Sequence, residues 1–169
     1  YGLRVYRGLP MSGSEKPSYE DEFESDYPDS LRRLYNCYTY AMGMLARPDT
    51  GGRFESESKP GQYGGVSIDG LNTNNAKTKI LTAIQADLEA WGCLSTDIIE
   101  SSETVMPPEG YFKIALFVGN NDEFHFLRQV SDGSGLWAHK PRQREVLFVD
   151  KNNKPIYNPK NASFDGYSN

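Results

Sequence analysis

Residues 111–149 constrain the fold more than any other part of the chain. Four short apolar runs follow one another there: Y-F-K-I-A-L-F-V-G, E-F-H-F-L-R-Q-V, L-W-A-H-K and E-V-L-F-V. They are separated by turn-forming stretches, among them G-N-N-D at 119–122 and S-D-G-S-G at 131–135. Gaps this short leave no room for a helical crossover, so successive strands must pair as antiparallel hairpins. Ahead of them, residues 75–92 place Ile80, Leu81, Ile84, Leu88 and Trp91 on one helical face, and Gly92 ends the helix. Helices followed by an antiparallel meander define an α+β domain.

The rest of the chain is less regular. Residues 1–8 read as a short edge strand, and 11–30 as an acidic loop or flap. Pro28, Asp29 and Ser30 offer a helix start. Asn36 offers a second one, which puts Cys37 in the first turn of a helix that extends toward Leu45. A single longer helix from Ser30 would instead carry Cys37 in its middle. Gly43 in that segment suggests a close-packed or conformationally forced site. Residues 47–75 are rich in Gly, Ser, Asn and Asp and read as a long loop. All 169 residues fit one domain. The start at Tyr1 reads as a piece of a longer chain.

Composition narrows the function. The net charge is -5, with no basic stripe, so nucleic acid is not an expected partner. No apolar run is long enough to span a bilayer as a helix. Two cysteines do not make a disulfide scaffold, although a Cys37–Cys93 bridge is allowed. No C-x-x-C occurs, and no cofactor or metal is expected. A zinc site from Cys37, His125 and His139 is chemically allowed but has no short-spaced ligand pair. Asn161-Ala162-Ser163 matches a glycosylation sequon, a short pattern that often arises by chance.

The two histidines of the chain, His125 and His139, flank one hairpin. A turn centred on Asp132 makes them direct cross-strand partners; one centred on Gly133 makes them diagonal neighbours. Both registers put the two imidazoles on one face, roughly 4.5–8 Å apart. A cysteine needs a base to become a thiolate near neutral pH, and that base needs an orienting group. Cys37 at a helix start, His125 on one strand and His139 on the next can fill those roles. Gln129, Asp132 and Asn121 are rival third members. The bland alternative makes Cys37 and His125 ordinary buried residues.

The order Asn36-Cys37-Tyr38, then H-F-L-R-Q around His125, then W-A-H-K-P around His139, resembles the papain-like cysteine hydrolases of NlpC and CHAP type. It also looks like a group of bacterial and phage proteins, some of them toxin-associated. The resemblance spans roughly residues 30–150. It implies a papain-like fold, with the nucleophile helix packed on an antiparallel sheet and a long loop and second helix inserted. It implies catalysis by Cys37, His125 and His139 on a peptide, cell-wall or protein substrate, outside the producing cell. Asn36-Cys37-Tyr38 departs from the usual Asp-Cys-Ser, and no glutamine precedes the cysteine to complete an oxyanion hole. A deamidase or transamidase acting on protein glutamine is the alternative enzyme. A non-catalytic interaction domain of a larger toxin or phage protein is the alternative outside enzymology.

Overall fold

The computed structural model describes residues 36–42, 58–90, 92–93, 98–108, 111–119, 123–130, 134–142, 144 and 146–164. The expected strand at 1–8, the acidic flap, the Ser30 helix start, Gly43, Trp91, Asn121 and Asp132 lie outside them. The described elements are helices α1 (Cys37–Ala41) and α2 (Ala76–Ala90), strands β1 (Ile114–Val118), β2 (Phe124–Gln129) and β3 (Trp137–His139), and a 3-10 turn at Pro159–Asn161. The strands form one antiparallel sheet in the order β1-β2-β3. This is an α+β arrangement, as expected. Among the described residues no helix is long and apolar enough to cross a membrane.

α1 starts at Asn36, which is extended (φ -108, ψ -173), so no continuous helix runs through Cys37. The Asn36 side chain accepts from Thr39 N–H, and Thr39 Oγ1 accepts from Asn36 N–H, both at 3.0 Å. That reciprocal cap satisfies donors that a helix start would otherwise leave bare. Every residue of α1 is buried. It packs against β2 and β3, with the Tyr38 ring 5.3 Å from that of Phe126.

α2 buries Ala76, Ile80, Ala83, Ile84 and Leu88, while Leu81 is only half-buried on the flank of the stripe. Gly92, at φ +76, ends the helix; its N–H donates to Glu89 O and Cys93 N–H to Leu88 O. This left-handed closure favours glycine.

The stripe also contains a carboxylate. Asp87 is fully buried and accepts four hydrogen bonds: Tyr38 Oη at 2.6 Å, Gly61 N–H at 2.7 Å, Gly64 N–H at 2.8 Å and Tyr63 N–H at 2.9 Å. One side chain thus joins α1, α2 and the loop at 58–66. The loop fits because it carries glycine. A Cβ on Gly64 would sit 2.4 Å from the Ala86 backbone, and one on Gly61 (φ +85) 2.0 Å from Val66 O. Asn36 Nδ2 adds a bond to Ser58 O at 2.9 Å.

The described part of the fourth expected strand (145–149), residues 146–149, does not form a strand. It is reduced to single bridges, His139 to Leu147 and Val149 to Pro155. The physical reason is competition for the outer edge of β3. His139 exchanges hydrogen bonds with Leu147, but Trp137 N–H donates to Ile156 O. Two segments therefore share one three-residue edge, and Pro155 has no N–H to extend a ladder.

Replacing Asp87 with alanine leaves three backbone N–H groups and a tyrosine hydroxyl without their acceptor. Urea denaturation should show a loss of at least about 3 kcal/mol, and a change below about 0.5 kcal/mol would mean that water replaces the carboxylate.

Candidate active site

β2 and β3 pair with Leu127 opposite His139, so the two histidines are diagonal neighbours on one face. This is the register of a turn centred on Gly133. His125 Nε2 and His139 Nδ1 lie 2.8 Å apart, and His139 Nε2 lies 2.8 Å from Val149 O. Both residues are buried.

These distances set the tautomers. A carbonyl oxygen only accepts, so His139 Nε2 carries a proton and donates to Val149. In the neutral ring His139 Nδ1 is then an acceptor. His125 Nε2 must donate to it, which leaves the His125 Nδ1 lone pair unprotonated. That atom is buried and has no hydrogen-bond partner. Buried polar atoms without partners are uncommon and call for an explanation.

Burial, and secondarily the neighbouring His139, push the His125 pKa down to about 3. Burial also lowers that of His139, opposed by the Val149 carbonyl and the Asp150 carboxylate. Both rings are therefore neutral near pH 7. Phe164 walls the pair, its ring centroid 5.3 Å from each imidazole and 4.8 Å from Phe117. Asp150 holds that wall in place. Its carboxylate accepts from Asn152 N–H and Lys154 N–H on one oxygen and from Ser163 N–H on the other. Phe164 and Asp150 carried no readable signal in the sequence, because neither is adjacent to a histidine motif.

Cys37 is the first residue of α1 and has no solvent exposure. No disulfide joins it to Cys93. Side chains alternate along β2, so Phe124 and Phe126 face opposite to His125 and Leu127. α1 meets the sheet on the Phe126 side, and Cys37 belongs to the core cluster containing Phe124 and Phe126. The structure thus brings His125 and His139 together. It does not bring Cys37 into hydrogen-bonding contact with His125 Nδ1. Gln129, at the end of β2, pairs with Trp137, and it is His139 that holds His125 Nε2. Among the described residues no cluster of metal-ligating side chains is present.

No family model matches the chain, and no solved structure does. The chain is similar to Insoluble matrix shell protein 1 of Ruditapes philippinarum, 28% identical over 146 residues. The match covers 83% of this chain and 78% of that protein.

The unfolded chain takes up a proton on each histidine as pH falls through 6.5, whereas folded His125 resists protonation down to about 3. Folding excludes that proton, so this contribution is complete above pH 6.5 and declines below it. The expected slope is about 1.4 kcal/mol per pH unit for one histidine. Urea unfolding at a series of pH values from neutral downward should show a steeper loss for the native chain than for His125→Gln. Parallel profiles would contradict the buried neutral imidazole.

Proposed function

We propose that this domain is a papain-like cysteine hydrolase in which Cys37 is the nucleophile, His125 the base and His139 the residue that orients it. The observation that carries this reading is the unpartnered Nδ1 of His125, bare because Val149 and His139 fix the tautomer of both rings. A neutral imidazole with an available lone pair is a proton acceptor in waiting. The capped start of α1 adds support. Asn36 and Thr39 fix the backbone at Cys37, whose own N–H is a candidate oxyanion donor.

In the reaction, the Cys37 thiol passes its proton to His125 Nδ1 as sulfur attacks the amide carbonyl. The imidazolium protonates the leaving amine, and a thioester remains. Water then attacks that thioester, giving its proton to Nδ1, and thiolate leaves with the acid product. The reading requires the thiol to approach Nδ1 around the half of β2 that β3 leaves uncovered, since β3 pairs only with Leu127–Gln129. Peptide or cell-wall amides are the favoured substrates, and protein glutamine is the alternative. Placement outside the producing cell belongs to the same proposal.

A second reading, a structural or interaction domain without catalysis, is favoured by the similarity to a protein named for an insoluble shell matrix. Chemistry separates the two. In a Cys93→Ser background, alkylation of Cys37 at neutral pH should be at least about tenfold faster than in the same chain with His125→Ala, because only the native ring can take the thiol proton as sulfur attacks. Mass spectrometry of peptidoglycan fragments and of a glutamine-containing protein should then show one product, lost at least about a thousandfold in Cys37→Ala. Equal rates in the two proteins would support the structural domain instead.

A further inference from the structure

The two faces of the sheet are covered differently. α1 and the core around Phe124 and Phe126 close one of them. The other carries Phe117, His125, Leu127, Trp137 and His139, which register and parity place together. Residues 158–164, a 3-10 turn followed by extended chain, lie on this second face as a strap. Ala162 and Phe164 pack against it, and the Phe164 ring meets both imidazoles.

The two halves of the strap are held by different means. The first is fixed: Pro159 is buried, and Glu103 pairs with Lys160 and accepts from Asn158 Nδ2 at 3.3 Å. The second hangs on the turn at 150–154. Ser163 N–H donates to Asp150 Oδ2 and Lys151 N–H to Ser163 O, both at 3.1 Å. The same carboxylate uses Oδ1 for Asn152 N–H and Lys154 N–H. One oxygen therefore shapes the turn, and the other clasps the strap. Between the halves lies Ala162, a small residue in extended backbone (φ -91, ψ 151).

Both imidazoles are buried, and no reactant touches His125 Nδ1 while they stay so. Opening from the α1 side would break up a core in which Cys37, Tyr38 and Ala41 have no exposure. Opening from the strap side breaks two hydrogen bonds and lifts one half-buried ring. The second motion costs far less, because it uncovers less apolar surface.

We propose that residues 161–164 are a hinged gate over the histidine pair: Asp150 clasps it shut through Ser163, and release of that clasp swings Phe164 away and opens the pair to solvent and reactants. What the opening serves rests on the hydrolase reading, in which it gives access to the base. The motion itself does not, since no part of it uses Cys37.

The test cuts the clasp from each side in the whole chain and follows the titration of His125 by nitrogen-15 NMR. In Asp150→Asn the amide oxygen still serves Asn152 and Lys154, but its NH2 group cannot accept from Ser163. Ser163→Pro removes the donor and keeps the carboxylate, and the extended backbone of Ala162 accommodates a following proline. Both variants should raise the His125 pKa from about 3 toward the ordinary value of about 6.5, because water reaches the ring. Losing the Asp150 charge without opening would move it down or not at all, since a carboxylate favours the imidazolium. In Asp150→Asn the Ser163 amide should also exchange at least about tenfold faster, with the Asn152 and Lys154 amides unchanged. A His125 value that stays or falls in both variants would overturn the gate. A rise in one folded variant alone would overturn it too, because both cut the same bond. Should Asp150→Asn not fold, Ser163→Pro decides. No readout involves Cys37 or a substrate, so the gate and the nucleophile can fail separately.

Discussion

The Asp87 carboxylate is the interaction on which the helical half of the molecule depends. It sits inside an otherwise apolar stripe of α2, where an unpaired charge would cost several kcal/mol. Four donors from two other parts of the chain converge on it. Three of them are backbone N–H groups of a loop too irregular to satisfy its own amides. The fourth is Tyr38, one residue after Cys37. The loop, α2 and the start of α1 thus share one acceptor, and Asn36 ties the cap of α1 to the same loop. The position of Cys37 is set by this network as much as by the sheet.

On the far face of the sheet a second polar chain is built by different means. Val149 O, His139 and His125 form a line of two hydrogen bonds, ended by a bare nitrogen. Its order comes from strand register and from the irregular edge of β3, which brings Val149 close to His139. Phe164 shields it, and the Asp150 turn positions Phe164. Shielding lowers the basicity of both rings, so an imidazolium at His125 would be stable only beside a new negative charge. In the hydrolase reading proposed above, a forming Cys37 thiolate would have to be that charge.

Much of this was legible in the sequence, and the parts that were not have physical reasons. The hairpin turn residues and the even spacing of His125 and His139 sufficed to put both rings on one face. Residue type offered the cap at Asn36 beside a longer helix from Ser30, and it sufficed for the glycine closure of α2. The fourth strand failed because local apolarity cannot reveal that Ile156 competes with Leu147 for β3. Asp87 was passed over because a carboxylate at a stripe position reads as a flaw in the pattern, when its partners lie on a distant loop. The relation of Cys37 to His125 was least legible. Parity along β2 tells which face His125 takes, but not which face the helix will choose, and that is decided by Tyr38 meeting Phe126.

The central claim is the protonation pattern of the two rings, and nitrogen-15 NMR of the imidazoles near neutral pH tests it most directly. The account predicts His139 protonated on Nε2 only, and His125 protonated on Nε2 with Nδ1 resonating as a bare, pyridine-type nitrogen. A proton on His125 Nδ1, in a neutral ring or an imidazolium, would contradict it.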